Sequence, residues 1–224
     1  PDEVYYAPCN RKAGFHLSFA RINDESLAWQ NRLEPVKQKM ENRLAEMAGR
    51  PYQARDVSFH LPDFIDIVLN AGNSRAPHGA TIGQSLPNWG PVANEGRGRT
   101  VAMTNLYTDA DSRRILEEQA SSLFCAEAME VFTSDPEPFV MSIVLHEAAH
   151  NLGPSHEYEV RGRTDDEIFG GPLASTMEEL KAQSTALYLS DWLAEQGIIT
   201  DRERHRAHLR DVAWAFGHIS RGMY

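Results

Sequence analysis

The sequence predicts a mainly α fold on three observations: an amphipathic stripe over residues 26–48, an apolar helical stretch over 136–152 that carries two histidines one turn apart, and two further helical segments before the chain ends at residue 224. The length suffices for one sizeable core, and an apolar fraction of 42% is that of a globular, soluble chain.

The first two dozen residues have no clear period and are expected to wrap on other elements. From Ser26 to Ala48, Trp29, Leu33, Val36, Met40, Leu44 and Met47 recur at spacings of three and four. This marks a long helix that ends near Gly49-Arg50-Pro51 and is bent or divided at Pro35. The stripe reads as core packing, not as a set of ligands. Val57 to Leu69 is short, rich in Phe, Ile and Val, and compatible with strand or helix. Residues 71–100 are so rich in glycine and proline that a long shaped loop without regular structure is expected. Ala110 to Phe132 reads as one helix. The histidine helix follows, with Asp135-Pro136 as its start signal and Gly153-Pro154 as its stop. A polar loop from Ser155 to Ala174 leads to a helix from about Ser175 to Gln196, and Arg202 to about Arg221 is the last helical segment.

With 22 basic and 32 acidic residues, the net charge of −10 disfavours nucleic acid or an anionic membrane as the main partner. No apolar run approaches membrane-spanning length and nothing resembles a signal peptide, so the compartment stays open between cytoplasm and export. The chain starts at Pro1, and it stops at Tyr224 soon after the helical run Asp211–His218. Both ends read as those of part of a longer polypeptide. Cys9 and Cys125 are too few for a disulfide framework or a cysteine zinc site, and the apolar patch Leu123–Ala126 is expected to bury Cys125 as a free thiol.

Residues 146–150 read His-Glu-Ala-Ala-His. On a helix, His146 and His150 leave the same face one turn apart, the spacing at which two imidazoles share one zinc ion. Glu147 between them is placed to take a proton from water, not to bind the metal. The bland alternative is two ordinary helix histidines beside a surface glutamate. Against it, Phe139 to Leu145 is apolar nearly all round, and burying unpartnered histidines in the stripe Phe139, Ile143, His146, His150 would cost about 2–7 kcal/mol for each group. The histidines therefore predict one Zn2+ ion.

A catalytic zinc takes three protein ligands, and two residues compete for the third place. His156 completes HExxHxxGxxH with Gly153 at the bend, the metzincin pattern, with Met177 available for a methionine turn. Glu179 lies at the start of the following helix, as in gluzincins. Ser175 and Glu178 have capping-box spacing, which gives Glu178 a structural task and leaves Glu179 free. Gln183, one turn on, is placed to hydrogen-bond a ligand. A solvated helix start favoured by the helix dipole is the alternative for both glutamates.

The chain resembles the dipeptidyl peptidase III family. The HExxH-type helix is followed by Glu178-Glu179-Leu180-Lys181-Ala182, similar to that family's Glu-Glu-x-x-Ala motif, and then by Leu187-Tyr188-Leu189. Upstream, Ala71-Gly72, Pro77, Gly79 and Leu86-Pro87-Asn88 resemble the family's segment that borders a peptide-binding cleft. The resemblance runs from about Val36 to the end. It implies a zincin-like helical catalytic domain over residues 1–224, incomplete at both ends and part of a larger two-lobed protein. It also implies His146, His150 and Glu179 as zinc ligands, Glu147 as catalytic base, Glu178 and Gln183 as supports of the ligands, and a peptide substrate lying near Gly79 and Asn88.

Three departures stand out: the family's usual motif has an extra residue before its second histidine, the loop to Glu179 is short, and the family's assisting His and Tyr have no counterpart here. That histidine belongs beyond Tyr224. His205 and His208 read as solvated, His60, His78 and His218 as isolated, and His78 faces substrate only if the glycine-rich segment borders the cleft. Three alternatives remain open: a metzincin-type endopeptidase using His156, a zinc-stabilised interaction module without turnover, and a hydrolase of a non-peptide carbonyl.

Overall fold

Trp29 and Leu33 lie on one buried face of α1 (Leu27–Leu33), and Met40 and Leu44 continue it on α2 (Lys37–Ala48). Between them a 3-10 turn spans Glu34–Val36, because Pro35 has no N–H to extend an α-helical ladder. In this computed structural model the described residues are 16–23, 27–57, 61, 63–72, 83–86, 99–104, 108–154 and 158–220.

Among the described residues, four strands form one sheet: β1 (His16–Ile22), β2 (Asp63–Gly72), β3 (Gly83–Leu86) and β4 (Arg99–Met103), in the order β1-β2-β4-β3. β1 and β2 are antiparallel, with a register shift between Phe19 and Ala20. β2 and β4 run parallel, and β3 returns antiparallel along the far side of β4. The sheet corrects two expectations: the first two dozen residues contain a strand, and the glycine-rich stretch 71–100 contains the end of β2, all of β3 and the start of β4. Gly83-Gln84-Ser85-Leu86 has no apolar alternation, so its strand character comes from pairing with β4 rather than from its own pattern. The ambiguous segment 57–69 resolves as strand from Asp63, with Phe64 buried in the core.

At one end of the sheet, Asp66 accepts hydrogen bonds from Asn23 (3.1 Å), Thr104 (2.8 Å) and Arg21 (3.3 and 3.4 Å). Burial opposes its charge, yet these donors outweigh burial and hold its carboxyl below the ordinary value.

The expected single helix over 110–132 is two, α3 (Ala110–Leu123) and α4 (Ala126–Met129), separated by extended backbone at Phe124 and Cys125. The break lets Phe124 meet Phe132 with ring centroids 5.9 Å apart, in a small core that holds Ala120 and Ala213. Phe124 rather than Cys125 takes the inward place, so Cys125 is exposed, contrary to expectation. Cys9 lies outside the described residues.

The histidine helix is α5 (Glu137–His150). Its start differs from expectation: Pro136 is the N-cap, and its carbonyl accepts from the N–H groups of Phe139 and Val140. Asp135 bonds instead to Arg113 (2.5 Å) and Thr133 (2.9 Å). The expected loop 155–174 contains α6 (Asp165–Phe169), and α7 (Gly171–Glu195) begins four residues before Ser175. Ser175 is therefore inside a helix and cannot cap it with Glu178. The Thr-x-x-Glu start lies earlier, where Glu167 accepts from the N–H of Thr164 at 2.9 Å. α8 (Asp201–Ser220) opens with a second such pair, Thr200 and Glu203.

α5 is the centre of the molecule, touching α1, α7, α8, β3 and β4. Contact on every side explains why it is apolar all round. Val140, Met141, Val144, Leu145 and Ala148 pack with Ala186, Leu189 and Leu193 of α7, Leu33 and Met40 of the first helices, and Phe64 and Ala102 of the sheet. Ser142 is a polar exception, donating to both oxygens of the buried Asp211 on α8 (2.7 and 2.8 Å). Among the described residues no helix is long and apolar enough to cross a membrane.

Candidate metal centre

His146 and His150 close the C-terminal turn of α5, with ring centroids 5.0 Å apart and planes at 83°. α7 runs alongside and brings three polar side chains to them. Gln183 Oε1 lies 3.0 Å from His146 Nδ1, and Glu178 Oε1 lies 2.9 Å from His150 Nδ1. Both partners are acceptors, so each Nδ1 carries the proton and each Nε2 keeps a lone pair. The two Nε2 atoms face one carboxylate: Glu179 Oε2 is 3.4 Å from His146 Nε2 and 3.9 Å from His150 Nε2.

Among the described residues, His146, His150 and Glu179 form a group whose ligand atoms all lie within 4.8 Å of one another. Donors around a tetrahedral zinc with bonds near 2.0–2.1 Å stand roughly 3.3 Å apart, so this trio fits such an ion with little movement. Two neutral imidazoles and one carboxylate are also a donor set that zinc prefers, and the imidazole protons have the acceptors that fix a ligating histidine.

A proton on His146 Nε2 and a metal ion compete for the same place beside Glu179. Glu147 is buried, which pushes its carboxyl above the ordinary value despite the two neighbouring imidazoles that favour its charge. Glu179 goes the other way: its contact with His146 holds it below the ordinary value against a smaller effect of burial, and its side chain is 63% exposed. Burial also opposes ionisation of Glu178, but His150 and Lys181 outweigh it and lower its carboxyl. Burial disfavours the charge of His146, but contact with Glu179, the nearby Glu147 carboxylate and the bond to Gln183 together outweigh it and raise it.

Glu41 has a part in holding the centre that the sequence reading did not assign. It lies on α2 among the core residues, is 1% exposed, and accepts from Tyr52 Oη (2.6 Å), Arg55 N (3.1 Å) and Gly153 N (2.7 Å). Burial together with the Glu41 bond pushes the Tyr52 hydroxyl up to about 12. Arg55 donates to the carbonyls of Asn151 (3.3 Å) and Gly153 (2.9 Å) in the turn that follows α5. A glutamate inside an apolar stripe was the one available signal, since a buried carboxylate requires donors.

His205 is exposed and sits against Arg204, while His208 Nε2 is 3.7 Å from Asp191. His60, His78, Gly79, Asn88 and His156 lie outside the described residues, as does the side chain of His218. The third metzincin ligand therefore falls there, as do Pro77, Gly79, Pro87 and Asn88 of the segment expected to border the peptide, while Ala71 and Gly72 end β2 and Leu86 ends β3.

The chain matches no protein-family model and no curated protein. Two solved structures are similar to it in fold. Dipeptidyl peptidase III from Caldithrix abyssi matches with a TM-score of 0.74 and 20% identity, over 93% of this chain and 39% of that one. Dipeptidyl-peptidase III from Corallococcus sp. strain EGB matches with a TM-score of 0.73 and 23% identity, over 93% of this chain and 38% of that one. The chain thus spans about two fifths of the length of these neighbours, and its mainly helical fold is that of the matching part of dipeptidyl peptidase III.

Proposed function

We propose that residues 1–224 act as one zinc-binding peptidase domain similar to that of dipeptidyl peptidase III, with His146, His150 and Glu179 holding one zinc ion. The observation that carries this reading is the convergence of both Nε2 atoms on the Glu179 carboxylate, with each Nδ1 held by an acceptor from α7. Zinc bound there supplies Lewis acidity to a water and to the scissile carbonyl. Glu147, buried and with its carboxyl raised, takes the proton of the attacking water and passes it to the nitrogen of the leaving amine as the C–N bond breaks. Gln183 and Glu178 keep the imidazoles in the tautomer and orientation that the ligand set needs. The exposed side of Glu179 leaves room for a peptide, and the segment from Gly79 to Asn88 is proposed to hold it by backbone hydrogen bonds. The net charge of −10 supports a partner other than nucleic acid or an anionic membrane.

Metal analysis of three variants tests the ligand set. Glu179→Ala is expected to lose zinc and His156→Ala to keep it; the reverse result overturns the reading in favour of a metzincin-type site. Glu147→Gln is expected to retain zinc while cleavage of a peptide library falls by about 10²–10⁴-fold. Equal, near-zero cleavage by parent and variant points instead to a binding module, and cleavage of a non-peptide carbonyl alone would reject the peptidase assignment.

A further inference from the structure

Lys181 lies three residues after Glu178 on α7, on the same side of the helix. Its Nζ is 2.9 Å from Glu178 Oε1 and donates to the carbonyl of Pro154 at 3.1 Å. Glu178 Oε1 is also the atom that accepts from His150 Nδ1. One ammonium thus joins the carboxylate that holds the His150 ring to the backbone turn that follows its helix. That turn is fixed from the other side, where Glu41 binds the N–H of Gly153. The Glu178 side chain is 11% exposed and that of Lys181 22%, so the pair is sheltered but reaches solvent.

We propose that Lys181 is a positioning residue of the metal centre, acting through Glu178 to aim His150 Nε2 at the ion. This rests on the zinc reading above and adds a residue to it. A glutamate with three rotatable bonds does not by itself fix an imidazole ring. Anchored by an ammonium that the Pro154 carbonyl holds in place, its Oε1 stays where His150 Nδ1 requires it. Partners one step removed from a metal typically alter affinity 10–100-fold, whereas breaking a sheltered pair that only supports the fold lowers stability and leaves the affinity of the folded chain unchanged. The two readouts therefore separate positioning from scaffolding.

The experiment uses the full chain and measures zinc dissociation constants by competition with a chromophoric chelator, together with the melting temperature of the zinc-free protein. Lys181→Met is expected to weaken zinc about 10-fold at a temperature where the zinc-free variant is still folded, and Lys181→Arg to recover most of the loss. Glu178→Leu, which removes the acceptor of the His150 Nδ1 proton, is expected to weaken zinc as well, and adding Lys181→Met to it to cost little more, because the two act in series. The proposal is overturned by parent-like affinity in Lys181→Met, by losses that multiply in the double variant, or by a loss seen only where the zinc-free variant is partly unfolded. A parent chain that binds no zinc overturns the zinc reading and this proposal together, whereas a zinc-binding parent with an unaffected Lys181→Met overturns this proposal alone.

Discussion

Glu147 and Glu179 are carboxylates beside the same imidazoles, yet burial raises one and contact with His146 lowers the other. Groups whose surroundings drive them apart in this way are suited to different tasks, a proton carrier and a ligand. Gln183 shows how sensitive the ligands are to a neutral neighbour. Replacing it with Leu removes the acceptor of the His146 Nδ1 proton, and zinc affinity is expected to fall 10–100-fold by chelator competition, while Gln183→Glu keeps an acceptor and holds affinity. A Leu variant with parent affinity sinks this account. Gly153 is a different kind of residue-level constraint. Its φ of +68° favours glycine, and an added Cβ would meet only a methyl of Leu44 at 3.9 Å. Gly153→Ala should therefore cost about 1–2 kcal/mol of stability through its backbone, measured by denaturant unfolding; no change would mean that the turn relaxes freely. His146, Glu147 and His150 were legible in the sequence because their relation is local, one helical turn. Glu41 was not, because its bond to Gly153 spans 112 residues. Glu178 reads as a cap from its spacing and as a support of the ligands from the family resemblance, and the helix start at Gly171 frees it from the cap to bind His150.

Elements were legible in proportion to how much of their order is internal. The division at Pro35 and the helices α5, α7 and α8 follow from period and proline chemistry. The sheet does not, because β3 takes its conformation from β4 and β1 from a strand more than forty residues on. Where a local signal is present and used, it should be measurable. Thr200 and Glu203 exchange bonds at the start of α8: the Glu203 carboxylate accepts from Thr200 N (2.6 Å), and Thr200 Oγ1 accepts from Glu203 N (3.2 Å). Arg32 of α1 also reaches Glu203 at 2.8 Å, tying the first helix to the last. Thr200→Ala is expected to cost about 0.5–2 kcal/mol, and a cost near zero would show that the cap is dispensable. The strand joint at Asp66 gives a pH prediction. Its carboxyl is lower in the folded chain than in the unfolded one, so its stabilisation is full above the unfolded value and is lost as pH falls through the folded one. Asp66→Asn should therefore melt below the parent at neutral pH, with the gap closing in strong acid. A gap independent of pH would assign the effect to packing.

Among the described residues, the molecule is arranged so that its most buried helix carries the two histidines. α5 meets α7, α8, α1 and two strands, and its histidines sit at the end where α7 crosses them. An ion held by His146, His150 and Glu179 would therefore join two helices that the core already joins through Val144, Leu145, Ala186 and Leu189. It adds a constraint to a packed interface instead of creating one, so the zinc-free chain is expected to remain folded, unlike small domains that fold only around their metal. Zinc at a hundred times its dissociation constant should then stabilise by about 2.7 kcal/mol. That gain is local in origin. Amide exchange in α5 and α7 should slow on zinc addition, while α3 and α4, which pack on α8 through the separate core of Ala120, Phe132 and Ala213, should change little. Hydrogen exchange read by mass spectrometry with and without zinc decides this, since protection spread evenly over both cores would mean that the ion governs global folding and not the α5–α7 contact.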